Sequence, residues 1–196
     1  MNPNPWRRTL CSLAALTLLS CLAARGQAPQ HFSGFINDFT PANVTNGPYV
    51  MNGKWTLDIH HAPGHTEAAD FTLFMDMETS DQGINEGIVD PNTTNTRNAH
   101  THNITMTNVS VTYNSPACPA NPSTVPAATG GNIMIMGPVD VTANGSPASF
   151  ESKGTSTLMV CLTGGTQVPL SNITITFVGP ATGHFGGQQI RGVVRK

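Results

Sequence analysis

Tyr49-Val-Met-Asn-Gly-Lys-Trp-Thr-Leu-Asp-Ile59 alternates apolar and polar residues, with Tyr49, Met51, Trp55, Leu57 and Ile59 on one face and Asn52, Lys54, Thr56 and Asp58 on the other. Side chains two apart on a strand share a face, so this pattern belongs to a strand with one buried side. Phe71, Leu73, Met75 and Met77 repeat it. Further along, His100-Thr-His102 leads into residues 104–111. There Ile104 and Met106 keep the even-numbered face, whereas Val109, Val111 and Tyr113 are odd. A β-bulge near Asn108 would account for that change of face. Residues 133–141, 155–162, 173–178 and 188–194 supply further strands, and residues 32–39 a first one. No window holds a helical period. Asn144-Gly145 offers the positive-φ pair of a tight hairpin, and Gly164-Gly165 can do likewise. The fold class is therefore all-β: an antiparallel β-barrel, or a β-sandwich, of about seven or eight strands. Residues 83–98, rich in Asn, Thr and Gly, and residues 115–131, rich in Pro and Ala, are expected to be irregular.

The amino-terminal segment has the form of an export signal. Arg7 and Arg8 precede the apolar run at residues 10–22, and Ala24-x-Gly26 places cleavage before Gln27. This divides the chain into a signal peptide, residues 1–26, and a single all-β domain, residues 27–196. The expected location is secreted or periplasmic. Leu18-Leu-Ser-Cys21 also resembles a lipobox, so an alternative is a lipoprotein anchored at the membrane through Cys21. With the signal removed, six basic residues face eleven acidic ones, a formal charge near −5. Such a balance argues against nucleic acid as a partner, because nothing would neutralise a phosphate backbone. Cys118 and Cys161 then remain as the only thiols, and in an oxidising compartment they are expected to form a disulfide.

Reactive side chains concentrate in two places. His100 and His102 share a strand face, about 7 Å apart along the backbone, and project toward the open end of the fold. Imidazole is a ligand of zinc and copper, and a site there would need one or two further ligands. The connection after the first confident strand carries His60, His61 and His65 together with Glu67 and Asp70, and His184 precedes the last strand. The candidate metal ligands are thus His100, His102, His60, His61 and His184. The alternative for each is a solvated or hydrogen-bonded histidine without a metal. For acid–base chemistry without metal, Asp58, Glu67, Asp76 or Glu78 would pair with His60 or His102. No Gly-x-Ser-x-Gly elbow and no phosphate-binding glycine loop occurs.

Gly53-x-Trp55, His100-Thr-His102, Ser156-Thr-Leu-Met-Val-Cys161, His184-Phe-Gly and Gly192-Val-Val together resemble exported bacterial all-β proteins that remain uncharacterised. More distantly, the run looks like the small barrels of the lipocalin and allene oxide cyclase type. The His-x-His pair is also similar to that of copper-zinc superoxide dismutases, but those need several more histidines downstream, where this chain offers only His184. The barrel resemblance implies a cavity lined by Met, Phe, Ile and Leu, which makes Trp55 and Met106, with His100 and His102 at the mouth, the ligand-binding candidates. The first functional expectation is an exported barrel binding a small, largely apolar molecule. A cofactor-free cyclase or isomerase, a metal-assisted enzyme, and a structural or adhesive surface protein are the alternatives.

Overall fold

The computed structural model describes residues 29–44, 48–60, 67–79, 99–118, 131–148, 155–164 and 170–195. Its strands are β1 (Gln30–Phe39), β2 (Tyr49–His60), β3 (Ala68–Thr79), β4 (His100–Tyr113), β5 (Asn132–Pro138), β6 (Asp140–Ala143), β7 (Ser146–Pro147), β8 (Thr157–Thr163), β9 (Asn172–Val178) and β10 (Ile190–Arg195). One short helix, α1 (Thr182–Phe185), lies between β9 and β10. The strands follow the order β3-β2-β1-β10-β9-β8-β5-β4, and β4 pairs back onto β3. Eight antiparallel strands therefore close into a barrel, which decides between barrel and sandwich.

Closure depends on β4 serving two partners along its length. Its first half pairs with β6, from His102↔Ala143 to Thr105↔Asp140, and its last residues pair with β5. The stretch expected as one strand over residues 133–141 is thus two, broken at Val139, with β7 returning on β6 through Asn144-Gly145. Both hairpin residues have positive φ, 48° and 79°. Gly165 of the other glycine pair lies outside the described residues, as do most of the two stretches expected to be irregular.

The change of face in β4 occurs where the alternation places it. The β3–β4 register shifts between Ala69 and Phe71, Asn108 takes φ 55°, and its N–H donates to Asp70 Oδ1 at 2.7 Å. His102, Ile104 and Met106 are buried before the bulge and Val109 after it.

Inward-facing side chains fill the barrel. Phe71, Leu73, Met75, Ile104, Leu158, Leu162, Ile173 and Ile175 are inaccessible to water. Trp55 stacks on Phe71 at 6.4 Å, in space that exists because residue 34 is glycine: a Cβ there would collide with the Val193 carbonyl and the indole. Cys118 and Cys161 form a disulfide that ties the turn after β4 to β8. No helix among the described residues is long and apolar enough to cross a membrane.

Candidate metal centre

Three histidines from two distant parts of the chain meet at one end of the barrel. His100 and His102 stand at the start of β4 on its inward face. His184 arrives on α1, which is held against the barrel by Phe185, fully buried and stacked on Phe177 with ring centroids 4.3 Å apart. Ala181 supports the approach: it is fully buried, and its N–H donates to Ser156 Oγ at 3.0 Å. His184 Nε2 lies 3.0 Å from His100 Nε2 and 3.0 Å from His102 Nε2. The three rings each offer one nitrogen to a common point, with those atoms within 4.8 Å of one another.

The tautomer of His102 follows from its second nitrogen. Nδ1–H donates to the Thr142 carbonyl at 3.0 Å, so Nε2 presents a lone pair to the cluster. His184 Nε2 then has two nitrogen neighbours, and a single proton cannot lie between all three. One cation satisfies the arrangement better. With zinc–nitrogen bonds near 2.0–2.1 Å, tetrahedral ligands sit about 3.3 Å apart; the two spacings to His184, 3.0 Å each, are near that value, and all three nitrogens lie within 4.8 Å of one another. A carbonyl fixing the distal nitrogen of a ligating imidazole is the usual support of such centres.

Electrostatics favours neutral rings ready to ligate. His102 is 1 % exposed; burial, then the neighbouring His184 and His100, push its pKa down to about 3. Burial, then His100, lowers His184 to about 4. A protonated imidazole cannot bind a metal, so a depressed pKa keeps the ligand competent in mildly acidic water.

Tyr49, at the start of β2 and 1 % exposed, walls the cluster: its ring centroid is 5.3 Å from those of both His100 and His184. Its alternation marked it as a core residue, and nothing in the sequence indicated that it would face the histidines. Among the described residues, no carboxylate or thiol joins the three imidazoles in the cluster. Among the described residues the arrangement offers three protein ligands; a tetrahedral ion held on these alone would have a fourth position for water or another small molecule.

Of the other candidates, His60 does not belong to this centre. It pairs with Ala68 at the far end of the β2–β3 hairpin, whereas His100 is level with Met77 and through it with Met51. Nine residues of strand separate the two levels, about 30 Å. Successive antiparallel strands put the two ends of β2 at opposite ends of the barrel, so His60 does not meet the start of β4. His60 instead lies 3.9 Å from Asp70. His61 and His65 lie outside the described residues. Trp55 and Met106, expected to contact a ligand, are 1 % and 2 % exposed within the packed interior. They point inward as their alternation required, and both belong to the buried core cluster.

No protein-family model, curated protein or solved structure matches this chain. The fold and the cluster define it only as a closed antiparallel β-barrel with three convergent histidines at one end.

Proposed function

We propose that this protein is a metal-binding barrel of an exported compartment, holding one divalent transition metal, zinc or copper, on the Nε2 atoms of His100, His102 and His184. The observation that carries this reading is the convergence of three imidazole nitrogens around a His102 whose other nitrogen is engaged by the Thr142 carbonyl. An all-imidazole set suits zinc, copper and nickel better than magnesium or calcium, which prefer oxygen ligands. Three ligands with a fourth position open characterise sites that act on a small molecule, whereas purely structural zinc sites use four protein ligands. A metal bound here would act as a Lewis acid on a coordinated water or substrate.

Export is supported by the disulfide and by the signal-like segment at residues 1–26. The small molecule belongs at the histidine end. A largely apolar ligand inside the barrel would need accessible inward-facing surface, and the described side chains there have almost none.

Metal content of freshly purified protein, with the unfolding temperature measured before and after chelation, tests the reading. About one equivalent of metal and a lower unfolding temperature after chelation are expected. Metal-free protein that shows no shift on adding zinc or copper would overturn it.

A further inference from the structure

Two depressions on the outside of the barrel share Asn52 and Asp76, and the second ends at His100. The first, about 390 Å³, lies between a row formed by Phe35, Lys54 and Phe74 and a row formed by Asn37, Asn52 and Asp76. Both rows follow from the register, since Lys54 pairs with Phe35 on one side and Phe74 on the other, and Asn52 pairs with Asn37 and Asp76. The second depression, about 450 Å³, shares Asn52 and Asp76 and continues past Thr101 and Asn144 to His100. The result is one furrow across β1 to β4. Phe74 is level with Asn103 and His100 with Met77, so its aromatic end lies three residues, about 10 Å, from the metal level.

We infer that this furrow is a saccharide-binding track, in which a neutral oligosaccharide lies across the strands and reaches the metal centre past His100. This rests on the reading of the histidines as a metal site. Phe35 and Phe74 are 41 % and 49 % exposed on the outer face, and Val193, 53 % exposed and paired with Phe35, extends this apolar edge of the furrow. Their side chains stand two strand spacings apart, about 9.6 Å, and offer apolar faces to the C–H faces of alternate, not adjacent, sugar rings along an extended chain. The polar row supplies the complementary chemistry: amides at Asn37 and Asn52, the carboxylate of Asp76 and the hydroxyl of Thr101 can donate to or accept from sugar hydroxyls. Asn144 is held in place, its Oδ1 accepting the Thr101 N–H at 3.0 Å. Asp76 and Glu78 add two carboxylates to the lining, but a basic peptide reaching them would find Lys54 between the two phenyl rings, whereas the amides, the hydroxyl and the aromatic faces suit an uncharged polyol.

The test uses the full mature chain, loaded with zinc, and a panel of soluble cello-, xylo- and chito-oligosaccharides, with an oligolysine peptide as the competing ligand class. Calorimetric titration of wild type, Phe74→Ala and Asn52→Ala is paired with metal analysis of the same samples. Binding of at least one oligosaccharide, weakened about tenfold by Phe74→Ala and by Asn52→Ala at unchanged metal content, is expected. Metal-loaded protein that binds none of the sugars, binds only oligolysine, or binds a sugar equally well in both variants would overturn the track while leaving the metal reading intact. Sugar binding that depends on Phe74 in protein unable to hold metal would leave the track standing and remove the metal centre.

Discussion

His102 and Thr142 are joined at 3.0 Å by a hydrogen bond from the ring Nδ1–H to the backbone carbonyl, across the β4–β6 pairing. The acceptor is main chain, so no side-chain substitution at 142 removes it, and the ring is confined to one tautomer. In metal-free protein at neutral pH, nitrogen NMR should show His102 protonated at Nδ1 and bare at Nε2. The opposite tautomer would mean that the ring is not set up for ligation through Nε2.

Removing a ligand should separate metal binding from folding. His102→Ala and His184→Ala should each weaken zinc affinity by about 100-fold or more, because two imidazoles hold the ion far less well than three. His184→Ala is the cleaner experiment: His184 is only partly buried on a short helix, whereas His102 is core. Full metal occupancy in either variant would contradict the assignment.

His60→Ala should leave metal content and affinity unchanged, since the β2–β3 register places that residue at the other end of the barrel. Its partner Asp70 also serves the Asn108 N–H, so Asp70→Ala is expected to cost stability, about 1–2 kcal/mol in urea unfolding. A loss of metal in His60→Ala would place the β2–β3 connection at the cluster and contradict the register.

The contrast between His60 and His184 shows what the sequence could convey. Alternation specified strand faces, the change of face at Asn108, and the inward aim of both His100 and His102, because these depend only on a period of two and a turn of the chain. Antiparallel succession of β2, β3 and β4 by itself sets His60 at the opposite end from the start of β4. What alternation could not specify is that the β9–β10 connection returns to the end where β4 starts, since that depends on how many strands close the sheet and in what order. Ligand density pointed to the hairpin at residues 60–70, while the third imidazole came from a short helix whose docking relies on Phe185 meeting Phe177. Trp55 and Met106 were placed on the correct face, but alternation cannot tell a filled interior from a hollow one.

Acid should weaken metal-free protein through these same histidines. His102 and His184 have folded pKa values near 3 and 4, below the ordinary 6.5 that an unfolded chain would show. Between those limits the unfolded state binds more protons, so stability rises with pH. The contribution is fully present above about pH 6.5 and is lost as pH falls toward 3, with a slope of about 1.4 kcal/mol per pH unit for each proton taken up on unfolding. Urea unfolding from pH 7 to pH 4 should therefore show a falling midpoint in wild type and a shallower fall in His184→Ala. Equal slopes in the two proteins would show that His184 titrates alike in the folded and unfolded states.

The indole of Trp55 offers a test of how tightly the interior is filled. Its Nε1–H is buried without a hydrogen-bond partner, inside a barrel whose other side chains exclude water. A buried donor left unpaired costs stability, whereas loss of part of the ring forfeits packing against Phe71. For Trp55→Phe these effects oppose each other, and a net change within about 1 kcal/mol is expected. Trp55→Ala loses the packing with no comparable gain and should destabilise by about 3–5 kcal/mol. If Trp55→Phe cost as much as Trp55→Ala in chemical denaturation, the indole N–H would have a stabilising partner in solution, such as an ordered water or a bound molecule within the barrel.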